Sequence, residues 1–188
     1  MAPDPFAHPV TVTPEQLRIE RFLETRKVQS FDSGNKDLDD FLNTEEVTRY
    51  EEEGFGRTYL VYYQGEVVAY FTVSFDSLRV EYLKTVKSFS ELAEMQLEAL
   101  PAVKVGRLAV DKRFQNMGIG RMLLRYIAGM AIEMGGRMGV RLLVLQAKPE
   151  SIPFYEKCGF RLTYETKRER GRRNRTMFLD LFEIQAIA

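Results

Sequence analysis

Between Val103 and Met134 the chain passes from a strongly β-forming segment, Val103–Val110, through a glycine-bearing loop into a long amphipathic helix expected from about Gly118 to Met134. That succession fixes a β-loop-α unit before anything else is read. The loop, Asp111-Lys112-Arg113-Phe114-Gln115-Asn116-Met117-Gly118-Ile119-Gly120, ends at a helix N-terminus. Backbone N–H groups there lack intrahelical partners and carry partial positive charge. Gly118 and Gly120 let a ligand's phosphates approach the main chain, and Arg113 and Arg121 add full charge. The loop is thus an anion site, or a turn whose glycines serve only tight helix packing. It is neither a Gly-x-x-x-x-Gly-Lys-Ser/Thr loop nor a Gly-x-Gly-x-x-Gly fingerprint, so ATP and NAD are poor ligands for it.

Around this unit the periodicity changes repeatedly. A loose lead-in runs to about Pro14, and residues 17–23 offer a first strand. Asp32-Ser33-Gly34-Asn35 makes a turn that caps a helix from about Lys36 to Glu53, with Leu38, Phe41 and Leu42 on its apolar face. Strands at Arg57–Tyr63 and Glu66–Phe75 read as a hairpin through Gln64-Gly65. Lys84–Leu100 is a helix-containing connection with a weak period in Leu92, Met95 and Leu97. After the long helix come a strand at Arg141–Gln146, a short helix at Ser151–Lys157, a break at Gly159, and strands near Phe160–Tyr164 and Thr176–Phe182. Without a repeat or low-complexity tract, all 188 residues read as one domain.

Composition narrows the chemistry. With 45% hydrophobic and 29% charged residues, the chain is an ordinary globular one. The single cysteine, Cys158, excludes an internal disulfide, and with one histidine, His8, there is no cluster to hold zinc; no metal is expected. No secretory leader or membrane-spanning run is legible, which makes a cytoplasmic location the expectation. The 27 basic and 27 acidic residues cancel, so no global charge attracts nucleic acid. Methionines 117, 122, 130, 134 and 138 read as packing on and beyond the long helix.

The string Gln115-Asn116-Met117-Gly118-Ile119-Gly120 resembles the Q/R-x-x-G-x-G/A signature of the GCN5-related N-acetyltransferases, the GNAT family. Gly106-Arg107-Leu108-Ala109-Val110 is similar to that family's fourth strand, and Phe154-Tyr155-Glu156-Lys157-Cys158-Gly159-Phe160 to its later F-Y-x-x-x-G-F element, in the correct order. The resemblance implies an α/β (α+β) fold: a central mixed, mostly antiparallel twisted sheet of six to seven strands flanked by helices. It implies an acyl-CoA-dependent N-acetyltransferase with acetyl-CoA as co-substrate and an amine acceptor. The amides from Met117 to Arg121, including Gly118, Ile119 and Gly120, would hold the CoA pyrophosphate, with Arg113 and Asn116 in the same loop. Gln115 would shape that loop, and Leu108 and Val110 would offer main-chain groups to the pantetheine arm, on a strand that in the family splays from the next.

The acceptor amine must be neutral to attack, the oxyanion needs a donor, and the departing thiolate benefits from a proton. By the same resemblance Tyr155 is the acid, its phenol protonated at neutral pH with a reference pKa near ~10. The main-chain N–H of Leu108 is the oxyanion donor. Val103–Val110 contains no direct base, so water relays the proton; Glu150 and Asp111 read as solvated surface carboxylates.

A second, looser resemblance covers Phe31-Asp32-Ser33-Gly34-Asn35-Lys36-Asp37-Leu38-Asp39-Asp40-Phe41-Leu42 and Arg57-Thr58-Tyr59-Leu60-Val61, similar to toxin-type acetyltransferases that act on aminoacyl-tRNA. Three readings stand: an acetyltransferase of a small-molecule or protein amine, which leads; a tRNA-directed toxin neutralised by an antitoxin; and a non-catalytic CoA-binding module. The basic run holding Arg168, Arg170, Arg172, Arg173 and Arg175 is either an RNA contact or a solvated hairpin loop. A homodimer is permitted, as in many family members.

Overall fold

The computed structural model describes residues 12–23, 28, 30–83, 89, 96–164 and 173–185. Its strands are β1 (Leu17–Arg21), β2 (Arg57–Tyr63), β3 (Glu66–Arg79), β4 (Ala99–Val110), β5 (Leu142–Ala147), β6 (Arg161–Leu162) and β7 (Arg175–Asp180), and its helices are α1 (Lys36–Asn43), α2 (Glu46–Glu52), α3 (Ile119–Met138), α4 (Ile152–Lys157) and α5 (Leu181–Gln185). The seven strands form one mixed sheet in the order β1-β2-β3-β4-β5-β7-β6, with β1–β2, β2–β3, β5–β7 and β6–β7 antiparallel. Expected boundaries differ in ways the local chemistry explains.

The single helix expected over Lys36–Glu53 is two helices. Asn35 caps the first, its side chain accepting from Asp37 N at 3.2 Å, with Asp37 and Asp39 in the favourable first turn. Thr44 is extended (φ −117°, ψ −177°) and its hydroxyl accepts from Glu46 N at 3.2 Å, which lets a new helix start. In the β2–β3 hairpin, Gln64 (φ +50°) and Gly65 (φ +89°) both adopt the left-handed region that a two-residue turn requires. β3 runs to Arg79, beyond the expected Phe75, and β4 begins at Ala99 and passes through Pro101, whose exposed position suits a residue that cannot donate to a ladder. β6 is only two residues long, and the segment after Asp180 turns helical. Residues 84–88 and 90–95 of the expected connection, residues 165–172 of the basic run, and His8 lie outside the described residues.

The chain divides into two compact units, one drawn from His8–Ser74 and Val105–Leu124, the other from Phe75–Lys104 and Arg125–Ala188. In the first, Phe31, Phe41, Leu42, Leu60, Tyr70 and Ala109 are buried together, Tyr70 lying between Phe31 and Phe41 at ring distances of 5.4 and 5.8 Å. A buried side chain of this size contributes about 1.5–3 kcal/mol. The Tyr70 hydroxyl donates to Leu38 O at 2.7 Å, so the core holds α1 by a hydrogen bond as well as by packing. In the second unit, Leu78, Leu83, Phe89, Leu142, Val144 and Phe178 form the core. There Arg141 makes a bidentate pair with the fully buried Asp180, at 3.0 and 2.8 Å, which ties β5 to the end of β7. Cys158 is buried, as expected of a small packing side chain, whereas Met138 is 70% exposed and packs nothing in the core.

Candidate active site

The anion-binding loop lies wholly in the first unit and is built from its strand outward. β4 ends at Val110, and Asp111, only 1% exposed, starts a single 3-10 turn over Lys112–Phe114. Its carboxylate accepts from Arg113 N and Arg113 Nε, both at 3.0 Å, and from Asp32 N at 3.4 Å. Burial works to raise the pKa of Asp111, but these hydrogen bonds and the Arg113 charge outweigh it and hold the group below its ordinary value. The expectation of a solvated carboxylate thus holds for exposed Glu150 and fails for Asp111. An Asp accepting from the backbone two residues on is a recognised turn signal, and it was legible in Asp111-Lys112-Arg113.

Several bonds fasten this loop to the turn ahead of α1. Lys112 N donates to Asp32 O at 2.8 Å and Lys112 Nζ meets the Asp32 carboxylate at 3.1 Å, which with the Gly34 N–H holds that carboxyl below its usual range. Gln115 Nε2 donates to Ser33 O at 2.8 Å and to Val110 O at 2.9 Å, so one amide joins the strand end, the loop and the α1 turn. Gln115 therefore shapes the loop, and of the main-chain groups of Val110, expected to serve the pantetheine arm, the carbonyl already accepts one hydrogen bond. Gly34 takes a left-handed φ of +84°, which glycine adopts without strain, and a Cβ there would also press on Lys112 Cε at 2.7 Å.

Past Gln115 the backbone adopts positive φ at Asn116 (+62°) and Gly118 (+84°), a conformation that turns it sharply into α3. Arg121 N and Met122 N both donate to Gly118 O at 3.1 Å. The amides of Gly118, Ile119 and Gly120 come before the first intrahelical bond, which leaves them for an external acceptor. Arg113 is spent locally: its guanidinium meets Asp111 and, at 3.0 Å, Glu66. Arg121 Nε is buried with no hydrogen-bond partner among the described residues. On β4, half-buried Leu108 and Val110 alternate with buried Ala109.

Tyr155 lies in the second unit, on α4. Gly159 (φ +84°) ends that helix, with Gly159 N donating to Glu156 O at 2.9 Å and Phe160 N to Tyr155 O at 3.0 Å. The turn brings the buried Phe160 ring back to 5.8 Å from the phenol ring, with Phe154 at 5.1 Å on the same helix. Burial, with a lesser contribution from the Cys158 thiol, pushes the Tyr155 phenol up to about 12, so it is a proton donor throughout the neutral range. Among the described residues no His, Cys, Asp and Glu group could hold a metal ion, and no helix is long and apolar enough to cross a membrane.

The model of the acetyltransferase (GNAT) family matches residues 19–160. The chain belongs to the GNAT family. A tRNA-acetylating toxin of Mycobacterium tuberculosis is 25% identical over 144 residues, covering 76% of this chain and 83% of that protein. The structure of AtaT complexed with acetyl-methionyl-tRNAfMet has a TM-score of 0.76 at 21% identity, covering 91% of this chain and 98% of that one. A tyrosine-to-phenylalanine mutant of AtaT, bound to the C-terminus of the antitoxin AtaR and acetyl-CoA, has a TM-score of 0.70 at 21% identity, covering 92% and 98%. The fold is the GNAT fold, and this GNAT protein is an acyl-CoA-dependent N-acetyltransferase with acetyl-CoA as co-substrate.

Proposed function

We propose that this GNAT enzyme transfers the acetyl group of acetyl-CoA to the α-amino group of an aminoacyl-tRNA, in the manner of a toxin of a toxin–antitoxin pair. The observation that carries the reading is the relationship to the tRNA-acetylating toxin over 144 residues, 76% of the chain. The α1 turn and the CoA loop are fastened together here by Gln115 and Lys112. In this reading the amides of Gly118, Ile119 and Gly120, with Met117 and Arg121 beside them, hold the pyrophosphate of acetyl-CoA. Arg113 and Asn116 set the loop's shape, and Leu108 N–H stabilises the oxyanion. The neutral amine attacks the thioester carbonyl, the N–C bond forms as the C–S bond breaks, Tyr155 protonates the departing thiolate, and the amine's surplus proton leaves to water.

A second reading has its own support. α1 and α2 expose Asp37, Asp40, Glu45, Glu46, Glu52 and Glu53 against only Lys36 and Arg49, a surface that suits a cationic acceptor such as a polyamine or a lysine-rich peptide better than a polyanion. Thiol release from acetyl-CoA, followed against charged tRNA, polyamines and lysine peptides, decides between them. The tRNA reading expects acetylated aminoacyl-tRNA and arrest of translation on expression. Harmless expression, with release only on polyamines or peptides, gives the site to the second reading.

A further inference from the structure

The carbonyl of Met117 is left out of the helix that follows it. In a regular α-helix it would accept from Arg121 N, but Arg121 N donates to Gly118 O at 3.1 Å. Met117 O accepts instead from Val12 N, in the segment ahead of β1, at 3.4 Å. The bond is long, and the packing of Val12 supports it: Val12 is 1% exposed, whereas Thr13, Pro14, Glu15 and Gln16 after it are all exposed. The turn over these residues fixes where Val12 lies. Gln16 N donates to Thr13 O at 3.1 Å and Thr13 N to Gln16 Oε1 at 2.8 Å, with Pro14 at the first position of the turn. Leu17 then enters β1 and pairs with Tyr63 of β2. The end of the stretch expected to be a loose lead-in is thus tied to the sheet on one side and to the CoA loop on the other.

We propose that the main-chain N–H of Val12 is a positioning group for acetyl-CoA, which locks the Met117–Gly118 peptide in the orientation that binds the pyrophosphate. In a trans peptide the C=O and N–H point in opposite directions. A donor that holds Met117 O toward the lead-in therefore turns Gly118 N–H to the side the lead-in leaves open. Gly118 stands at φ +84°, and glycine adopts either sign of φ, so rotation of this one peptide is cheap; the same rotation interconverts type I and type II turns. The rotated peptide would present a carbonyl oxygen, in place of an N–H, to the phosphate. Among the described residues neither the loop nor α3 supplies another main-chain donor to Met117 O, so Val12 sets the fraction of enzyme in the competent orientation, and apparent affinity scales with that fraction. The proposal rests on the reading of the Gly118, Ile119 and Gly120 amides as the pyrophosphate site.

Val12→Pro removes the N–H, and Val12→Ala keeps it while trimming the packed side chain. Calorimetry with CoA is expected to show Kd raised about three- to tenfold in Val12→Pro, the worth of one ordinary hydrogen bond, and Val12→Ala should recover most of that loss. The KM for acetyl-CoA should rise with Kd, while kcat at saturating acetyl-CoA holds, because the lock acts before the thioester reacts. Gln16→Ala releases Thr13 N without touching Val12; it should move Kd the same way by a smaller amount, and it carries the test if Val12→Pro does not fold. In NMR of the free enzyme the distance from Met117 Hα to Gly118 H tells the two peptide orientations apart, and Val12→Pro should populate both where the parent populates one. Equal loss of CoA affinity in Val12→Pro and Val12→Ala makes Val12 a packing residue and overturns the proposal, as does unaltered affinity with an unaltered peptide. If the peptide rotates in Val12→Pro and CoA affinity does not change, the placement of the pyrophosphate is what fails, and Gly118→Val will then leave CoA affinity intact as well.

Discussion

The Asp111 carboxylate sits at the end of a strand, closed from solvent, and accepts hydrogen bonds from Asp32 N and Arg113 N, which belong to segments far apart in the chain. Asp111→Asn keeps the shape but loses the charge that Arg113 and the two amides address, and should cost about 1–3 kcal/mol in urea unfolding at pH 7. Folding lowers this group's pKa, so its stabilisation is present above the unfolded value near ~3.9 and is lost as pH falls through the folded value. The difference between variant and parent should therefore shrink below about pH 4. Tyr155 shifts the other way. With its phenol at about 12, it remains a donor where a free tyrosine begins to ionise, and kcat should show no falling limb from this residue up to about pH 10. Tyr155→Phe should lower kcat by about a hundredfold or more while acetyl-CoA affinity holds. An unaltered kcat would return the ring to a packing role beside Phe160.

Among the elements, the CoA loop and the α4 turn behave alike: one motif glycine in each, Gly118 and Gly159, sits where the backbone takes positive φ, whereas Gly120 lies within α3. A β-branched residue forced into that conformation costs about 1–2 kcal/mol and at Gly118 also stands where phosphate must approach. Gly118→Val should abolish acetyl-CoA binding in calorimetry while the circular dichroism spectrum is retained. Full affinity in the variant would dissociate the loop from the cofactor. The split of the expected first helix at Thr44 matters here too, since it starts α2 afresh and so sets Tyr50 and Glu46 on a helix separate from Phe41.

For the whole molecule, the sheet order β5-β7-β6 and the antiparallel pairing of the last strands follow from packing that no single segment encodes. The Arg141–Asp180 pair joins β5 to the chain's last strand, across residues that sequence periodicity treats as unrelated. Net charge, zero over the full sequence, said little about the acceptor. Its distribution says more, with acidic side chains gathered on α1 and α2. The aminoacyl-tRNA and polyamine readings differ by where charge meets the acceptor, which is why the acceptor panel rather than the fold decides between them.

By itself the sequence determined the order of strands and helices around the CoA loop, the loop's glycines and the family, because these depend on local periodicity and on backbone conformations that only certain residues adopt. It also placed the β2 strand at Arg57–Tyr63 and the Gln64-Gly65 turn, where alternation and left-handed geometry are written in neighbouring residues. The tertiary structure alone decided that Asp111 is buried rather than solvated and that Arg113 is spent on Asp111 and Glu66. Burial and the partner of a polar group depend on residues far away in the chain, and a one-dimensional pattern carries no distance between them.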